Sequence, residues 1–289
     1  MGHSVNAPVE YHSHLLSRLA YISTIQQGRT REIAIGEKIT VIGPRAILIT
    51  GAAGSIGSAL ARAYAAPGID LFLGDITPTS LERVCGLCND AGATTHKDFV
   101  DVRDRVAMER WISDSDSIRP LDLVIANAGI SHGNLEKEET ADEIRAVFEV
   151  NVGGMLNTVL PALPLMRSRR RGQIALMSSL AALRGFPHSP SYCASKAAIR
   201  TFGQGLRARL KREGISVSVI IPSFVKTPMT DSNLYKMPWR VESDRAAGII
   251  KGKLAQRKSE FIFPYPYPAV GWALSVLPGF VVDFFTELK

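Results

Sequence analysis

The chain has 289 residues, 46% of them hydrophobic and 21% charged, with a net charge of +7. Those proportions exclude a disordered or fibrous chain and allow one substantial core, or at most two small ones. The basic excess is moderate and mostly scattered, so no nucleic-acid-binding surface is expected.

Residues 1–44 read as an N-terminal extension, too short to bury a core of its own. Within it, Tyr11 to Gln27 places Leu15, Leu16, Leu19, Ile22 and Ile25 roughly on one side, which suits a short amphipathic helix. Gly28 to Arg31 breaks the pattern, and Glu32 to Val41 is a ribbon or loop. The extension is expected to act as a packing or oligomer arm. It lacks a basic start followed by a long apolar run, so no secretory signal is evident and a cytoplasmic location is expected.

From 45 to 263 strands and helices alternate. Ala46 to Thr50 is a buried-type strand, followed by a glycine turn and an Ala-rich helix from Ser55 to Ala65. Ile69 to Leu73 is the second strand and Thr79 to Asn89 the second helix. A strand from His96 to Val100, a helix from Arg103 to Ser113 and a strand from Leu121 to Ala126 follow. One long helix is expected from Glu139 to about Arg167, then a strand from Gln173 to Met177. A helix from Ser191 to Arg212, a strand from Ser216 to Ile221 and a last strand from Phe261 to Phe263 complete the series. This alternation predicts an α/β fold: a doubly wound, Rossmann-like parallel sheet covered on both faces, a three-layer αβα single domain over 45–263. The one tight basic run, Arg167, Arg169, Arg170 and Arg171, sits where the long helix should end, and cations suit a helix C-terminus. Three cysteines imply no disulfide framework; Cys85 and Cys88 fall inside a helix, and no metal site is expected.

Several residues along this frame carry chemistry. Gly51, Gly54 and Gly57, with Ser55 and Ile56 between them, join the first strand to the first helix. Glycines there permit a tight turn and close approach of a pyrophosphate to helix N–H groups. Asp75 ends the second strand, where an acid bonds ribose hydroxyls and repels a 2′-phosphate; with no Arg or Lys in the turn or beside Asp75, NAD is favoured over NADP. Asp101 and Val102, at the end of the third strand, can frame an adenine, although an Asp at a strand end is also an ordinary turn or cap residue. Tyr192 and Lys196 lie four residues apart, one turn on one helix face. An ammonium beside a phenol favours the phenolate, and a phenol so tuned can exchange a proton with a substrate oxygen.

In this order the motifs Thr50 to Gly57, Asp75, Asp101, Asn127-Ala128-Gly129, Asn151, Ser179, Tyr192, Lys196 and Pro222 resemble the short-chain dehydrogenase/reductase family, in its shorter single-domain branch, over roughly Arg45 to Phe263. The resemblance implies hydride transfer with a nicotinamide cofactor. It makes Tyr192 the general acid or base, has Lys196 lower its pKa and bond the nicotinamide ribose, has Ser179 bond the substrate oxygen, and has Asn151 hold a water for proton return. Ser179 is chosen over Ser178 by its separation from Tyr192. By the same resemblance Ile76, Asn127, Ala128, Gly129, Pro222, Val225 and Thr227 join the glycine turn, Asp75, Asp101 and Val102 around the cofactor. The chain departs from the pattern at Ser55, where the short branch usually has Gly, and at Ser223, after Pro222, where Gly is usual. The Gly51, Gly54, Gly57 spacing is nearer to the nucleotide-sugar-modifying branch.

Thr230 to Val241 is expected to form a lid, with Met229, Leu234, Tyr235, Met237 and Trp239 giving the substrate side an apolar lining; Gly185, Phe186 and His188 face the same cleft. The tail, 264–289, is apolar but interrupted by Pro264, Pro266, Pro268 and Pro278, which argues against a spanning helix. It is read as an oligomer contact or as a peripheral membrane contact aided by Lys251, Lys253, Arg257 and Lys258. The expected function is NAD(H)-dependent interconversion of a secondary alcohol and a ketone on a fairly apolar small molecule, by a homodimer or homotetramer. The rivals are an NAD-using nucleotide-sugar epimerase or dehydratase and a non-catalytic cofactor-sensing scaffold.

Overall fold

The computed structural model describes residues 43–133, 137–227, 230 and 239–278. The amphipathic helix expected in the N-terminal extension, most of the expected lid and the last part of the tail lie outside these residues.

Seven strands form one parallel sheet: β1 (Ala46–Thr50), β2 (Asp70–Asp75), β3 (Thr94–Phe99), β4 (Leu123–Ala126), β5 (Gly172–Met177), β6 (Ile215–Pro222) and β7 (Glu260–Phe263), in the order β3-β2-β1-β4-β5-β6-β7. The central strands are fully buried because both faces are covered, so their sequences are continuous apolar runs rather than alternating ones. Alternation decides instead which layer each side chain joins. Ile47 and Ile49 pack with Leu60, Leu81 and Ile250 on one face, and Ala46 and Leu48 with Met108, Val159 and Leu206 on the other. Each such Leu or Ile contributes roughly 1.5–3 kcal/mol by burial.

The first layer is made by α1 (Ser55–Tyr64), α2 (Pro78–Asp90) and α7 (Ser243–Ala255), the second by α3 (Arg105–Ile118), α5 (Gly154–Ser168) and α6 (Pro190–Leu210). Local chemistry starts several of these helices. Pro78 occupies the first turn of α2, and the Asp104 side chain accepts from the Val106 and Ala107 N–H groups, 3.0 Å each, at the start of α3. A short helix, α4 (Ala141–Phe148), opens on a capping box between Thr140 and Glu143, and α8 (Tyr267–Val276) follows β7.

Three expectations are corrected. The long helix expected from Glu139 to Arg167 starts at Ala141 and is interrupted by a π turn, Glu149–Gly153, between α4 and α5. The turn inserts one residue, a phase shift of about 100°, but helical apolar spacing is kept on either side of it, so the sequence reads as one helix. The arginine run does more than complement a helix end. Arg167 pairs with Glu213, Arg169 with Asp116 and Arg171 with Asp122, tying the α5–β5 connection to three neighbouring segments. β3 starts two residues earlier than expected because it is an edge strand whose polar residues Thr94 and Thr95 pair with β2 without any apolar signature.

Candidate active site

The strand order reverses between β1 and β4, and a cleft of about 800 Å³ opens there at the carboxyl ends of the strands. The glycine turn forms one wall. Gly51 has φ +65°, and a Cβ on it would meet Ala128 Cα at 2.9 Å; a Cβ on Gly57 would lie 2.1 Å from the Gly51 carbonyl oxygen. Only glycine lets turn and helix approach this closely. The N-cap of α1 is Gly54, which offers no side-chain acceptor, and no acid stands in the first turn, so the amides there are left for an outside anion.

Asn127 braces this turn. Its Nδ2 donates to the Thr50 carbonyl at 2.9 Å and to the Gly51 carbonyl at 3.2 Å, while Thr50 Oγ1 accepts from the Asn127 and Ala128 N–H groups at 3.0 and 3.2 Å. Asp75 is fixed from both sides: its carboxylate accepts from the Ala53 N–H and the Thr77 N–H, each at 2.9 Å. Gly51, Gly54, Ser55, Ile56, Gly57, Asp75, Ile76, Asp101, Val102, Asn127, Ala128 and Gly129 all line the cleft. Ile76 is 68% exposed, an apolar side chain on the cleft surface rather than in the core. Asp101 closes a turn onto the Arg103 N–H at 2.9 Å and holds the Arg103 guanidinium, which keeps its carboxyl below the usual range.

Tyr192 and Lys196 stand on α6 at the other end of the same cleft. Lys196 is only 3% exposed; its Nζ donates to the Met177 carbonyl at 3.0 Å and lies 5.6 Å from the centre of the Tyr192 ring. Among the described residues no carboxylate pairs with it, and burial pushes its ammonium down from 10.5 to about 8. The two serines differ in their surroundings, and it is Ser178 that lines the cleft. Ser178 is buried and donates to the Lys196 carbonyl at 2.9 Å, whereas Ser179 is half-buried and its Oγ accepts from the Ala181 N–H at 3.2 Å, leaving its hydroxyl hydrogen for another acceptor. Ser179 therefore both caps a turn and retains a donor, although it is not part of the cleft lining itself.

Asn151 sits in the π turn, fully buried. Its Oδ1 accepts from the Ile130 N–H at 2.8 Å; its Nδ2 donates to the Ile130 carbonyl and to Ser195 Oγ, both at 2.9 Å. Ser195 Oγ donates in turn to the Tyr192 carbonyl at 2.8 Å. These bonds brace the segment after Gly129 and the helix that carries Tyr192, and Oδ1 keeps a second lone pair. Gly129 lies between the two groups: a Cβ on it would come within 3.1 Å of both Asn151 Oδ1 and Lys196 Nζ.

Pro222 and Thr227 reach the cleft, but Val225 does not; its side chain is buried in the core, while its backbone forms a β-bridge with Val241. Sequence reasoning also missed Arg83 and Arg103, two cations lining the cleft. Ser80 and Arg83 are i, i+3 neighbours on α2, a spacing that marks one face and was the available signal. Among the described residues no cluster of three or more His, Cys, Asp or Glu is arranged to hold a metal.

A nicotinamide dinucleotide suits these residues: a glycine cradle that any Cβ would fill, a ribose-bonding acid fixed in place, an apolar flank at Ile76 and Val102, and a phenol–ammonium pair at the far end. Residues 45–237 match the family described as short chain dehydrogenase. The chain is 32% identical over 240 residues to an uncharacterized oxidoreductase of Myxococcus xanthus, covering 83% of this chain and 95% of that one. It is similar to the crystal structure of a short chain dehydrogenase from Mycobacterium paratuberculosis bound to NAD (TM-score 0.68, 28% identity, covering 75% of this chain and 95% of that one). It is also similar to an alcohol dehydrogenase from Thermococcus sibiricus complexed with 5-hydroxy-NADP (TM-score 0.68, 25% identity, covering 76% and 96%).

Proposed function

The chain belongs to the short-chain dehydrogenase/reductase family, and from that premise we propose that it interconverts a secondary alcohol and a ketone on a fairly apolar small molecule, with NAD(H) as cofactor. The observation that carries this reading is that Tyr192 and the buried Lys196 line the same cleft as the glycine turn and Asp75. The bound nicotinamide would accept or supply the hydride. Gly51 to Gly57 would hold the diphosphate, Asp75 the adenosine ribose, and Ile76 and Val102 the adenine. Lys196 and Thr227 would hold the nicotinamide end.

The chain's own residues manage the proton. Tyr192 Oη takes it from the substrate hydroxyl during oxidation and returns it to the oxygen during reduction. Ser179 donates to the same oxygen and stabilises the charge that builds there. Among the described residues Lys196 has no carboxylate partner to neutralise it, so its charge is available to the phenolate form of Tyr192. At pH 7, below its folded value of about 8, it is mostly protonated. Asp75 supports NAD over NADP, since its fixed carboxylate would face a 2′-phosphate.

A panel of secondary alcohols with NAD, followed by NADH absorbance, tests the reading. Tyr192→Phe should abolish turnover, by ~100-fold or more, with NADH binding retained. Retention of a tenth of the activity would remove Tyr192 from the proton path. The spacing of Gly51, Gly54 and Gly57 favours a second reading, NAD-assisted modification of a nucleotide-sugar; stoichiometric release of NADH argues against it.

A further inference from the structure

The helix that carries Tyr192 and Lys196 begins without a cap of its own. Its N-cap, Ser189, makes no capping hydrogen bond with its side chain, and Pro190 at the first position has no N–H. Ser191 and Tyr192 are therefore the first residues of α6 whose N–H groups precede the helical ladder, which begins with the Cys193 N–H to the Ser189 carbonyl at 3.1 Å. The acceptor comes from far away in the chain. One carboxylate oxygen of Glu139 accepts from the Ser191 N–H at 3.1 Å, and the other accepts a short hydrogen bond from Ser191 Oγ. Ser191 is buried, so without Glu139 two polar groups lose their partner next to Tyr192.

Glu139 is itself held in place. It directly precedes Thr140, whose capping box with Glu143 starts α4, the helix that runs into the π turn of Asn151. Gly133, at φ +79°, lets the segment before it pass close by: a Cβ there would strike the His188 carbonyl at 2.2 Å and Glu139 Cγ at 2.9 Å. One carboxylate thus joins the start of the helix leading to Asn151 to the first turn of the helix bearing Tyr192. A negative charge at that position also suits the helix N-terminus.

We propose that Glu139 is a positioning residue that fixes the first turn of α6, and through it the Tyr192 hydroxyl, against the cleft. The catalytic part of this inference rests on the proton-transfer reading of Tyr192; the anchoring part does not. Lys196 lies one turn further on and is held independently by burial and by the Met177 carbonyl, so loss of Glu139 should disturb Tyr192 and spare cofactor binding.

The test compares Glu139→Ala and Glu139→Gln with the wild type. The amide side chain keeps an acceptor for the Ser191 N–H; alanine keeps none. In Glu139→Ala, hydrogen exchange at the Ser191 and Tyr192 amides should quicken about tenfold or more, and kcat per NADH-binding site should fall about 10- to 100-fold. KM and the dissociation constant of NADH should stay within about twofold. Glu139→Gln should restore most of both exchange protection and kcat. Normalising to NADH-binding sites separates this from simple loss of folded protein. Unchanged exchange in Glu139→Ala overturns the proposal, and so does faster exchange with kcat per site unaltered. If the wild type oxidises no alcohol and reduces no ketone, the functional reading fails while the exchange measurement still decides the anchoring.

Discussion

Replacing Lys196 by methionine should make the protein inactive and, near neutral pH, no less stable. Lys196 is 3% exposed without a carboxylate partner among the described residues, and its folded pKa of about 8 lies below the ordinary 10.5. At about 1.4 kcal/mol per unit, keeping the ammonium buried costs the fold about 3 kcal/mol wherever the group is charged in both states. Methionine keeps the apolar stem and removes the charge. It also removes the donor to the Met177 carbonyl, a loss of about 1–3 kcal/mol. The two effects leave the variant about 0–2 kcal/mol more stable at pH 7, a rise of up to a few degrees in Tm for a domain of this size. The pH dependence is the sharper readout. Below about pH 8 lysine is charged both folded and unfolded, and the full penalty applies. Between about 8 and 10.5 the unfolded chain binds more protons, so wild-type stability rises with pH from this group. Above 10.5 the penalty is gone. Urea denaturation of both proteins without cofactor at pH 7 and pH 10 should therefore show the variant losing its relative advantage at the higher pH. A stability difference that does not change with pH would refute the account of Lys196 as a destabilising charge kept for its chemistry.

Gly57→Ala should raise the dissociation constant of NADH by at least about tenfold, since its Cβ would lie 2.1 Å from the Gly51 carbonyl and overpacking of this kind costs about 1–3 kcal/mol; fluorescence titration giving a value within twofold of wild type would contradict it. Asp75→Ala should raise the ratio of NADP to NAD in kcat/KM about tenfold or more, because Arg83 and Arg103 already line the cleft; steady-state kinetics with an unchanged ratio would remove Asp75 from discrimination. Asn151→Ala should lower stability by about 1–3 kcal/mol, because it takes away the partner of the part-buried Ile130 N–H and carbonyl; urea denaturation showing no measurable loss would mean that neighbouring groups take over its hydrogen bonds.

The sheet was legible because its central strands are short, apolar runs bounded by turns, and β1 falls at the residues expected. The glycine turn, Asp75 and the Tyr192–Lys196 pair were legible because their chemistry depends on local spacing. Contacts between residues far apart in the chain were not. Nothing in the sequence around Asn151 distinguishes a helix interior from a π turn braced by Ile130 and Ser195. Glu139 reads as one acid among several in Glu136, Glu138 and Glu139, and its role at α6 follows only from the fold. Val225 was assigned to the cleft by position in a motif, but its side chain belongs to the core, so only burial in three dimensions reveals the difference. Arg83 was missed because it joins the cleft lining from the helix after Asp75, not by adjacency in sequence.

The π turn between α4 and α5 has a consequence for how this segment tolerates length changes. An α-helix advances about 100° per residue, so excising one residue from Glu149–Gly153 to restore regular winding would rotate everything on one side of the cut by that angle. Thr140, Glu143 and Glu139 hold the upstream half, while Val159, Leu163 and Met166 seat the downstream half on the sheet. Neither half is free to turn. The extra residue thus serves as a phase adjuster between two rigidly mounted half-helices, and an alignment gap placed at this point in a related sequence would signal a different way of aiming the asparagine.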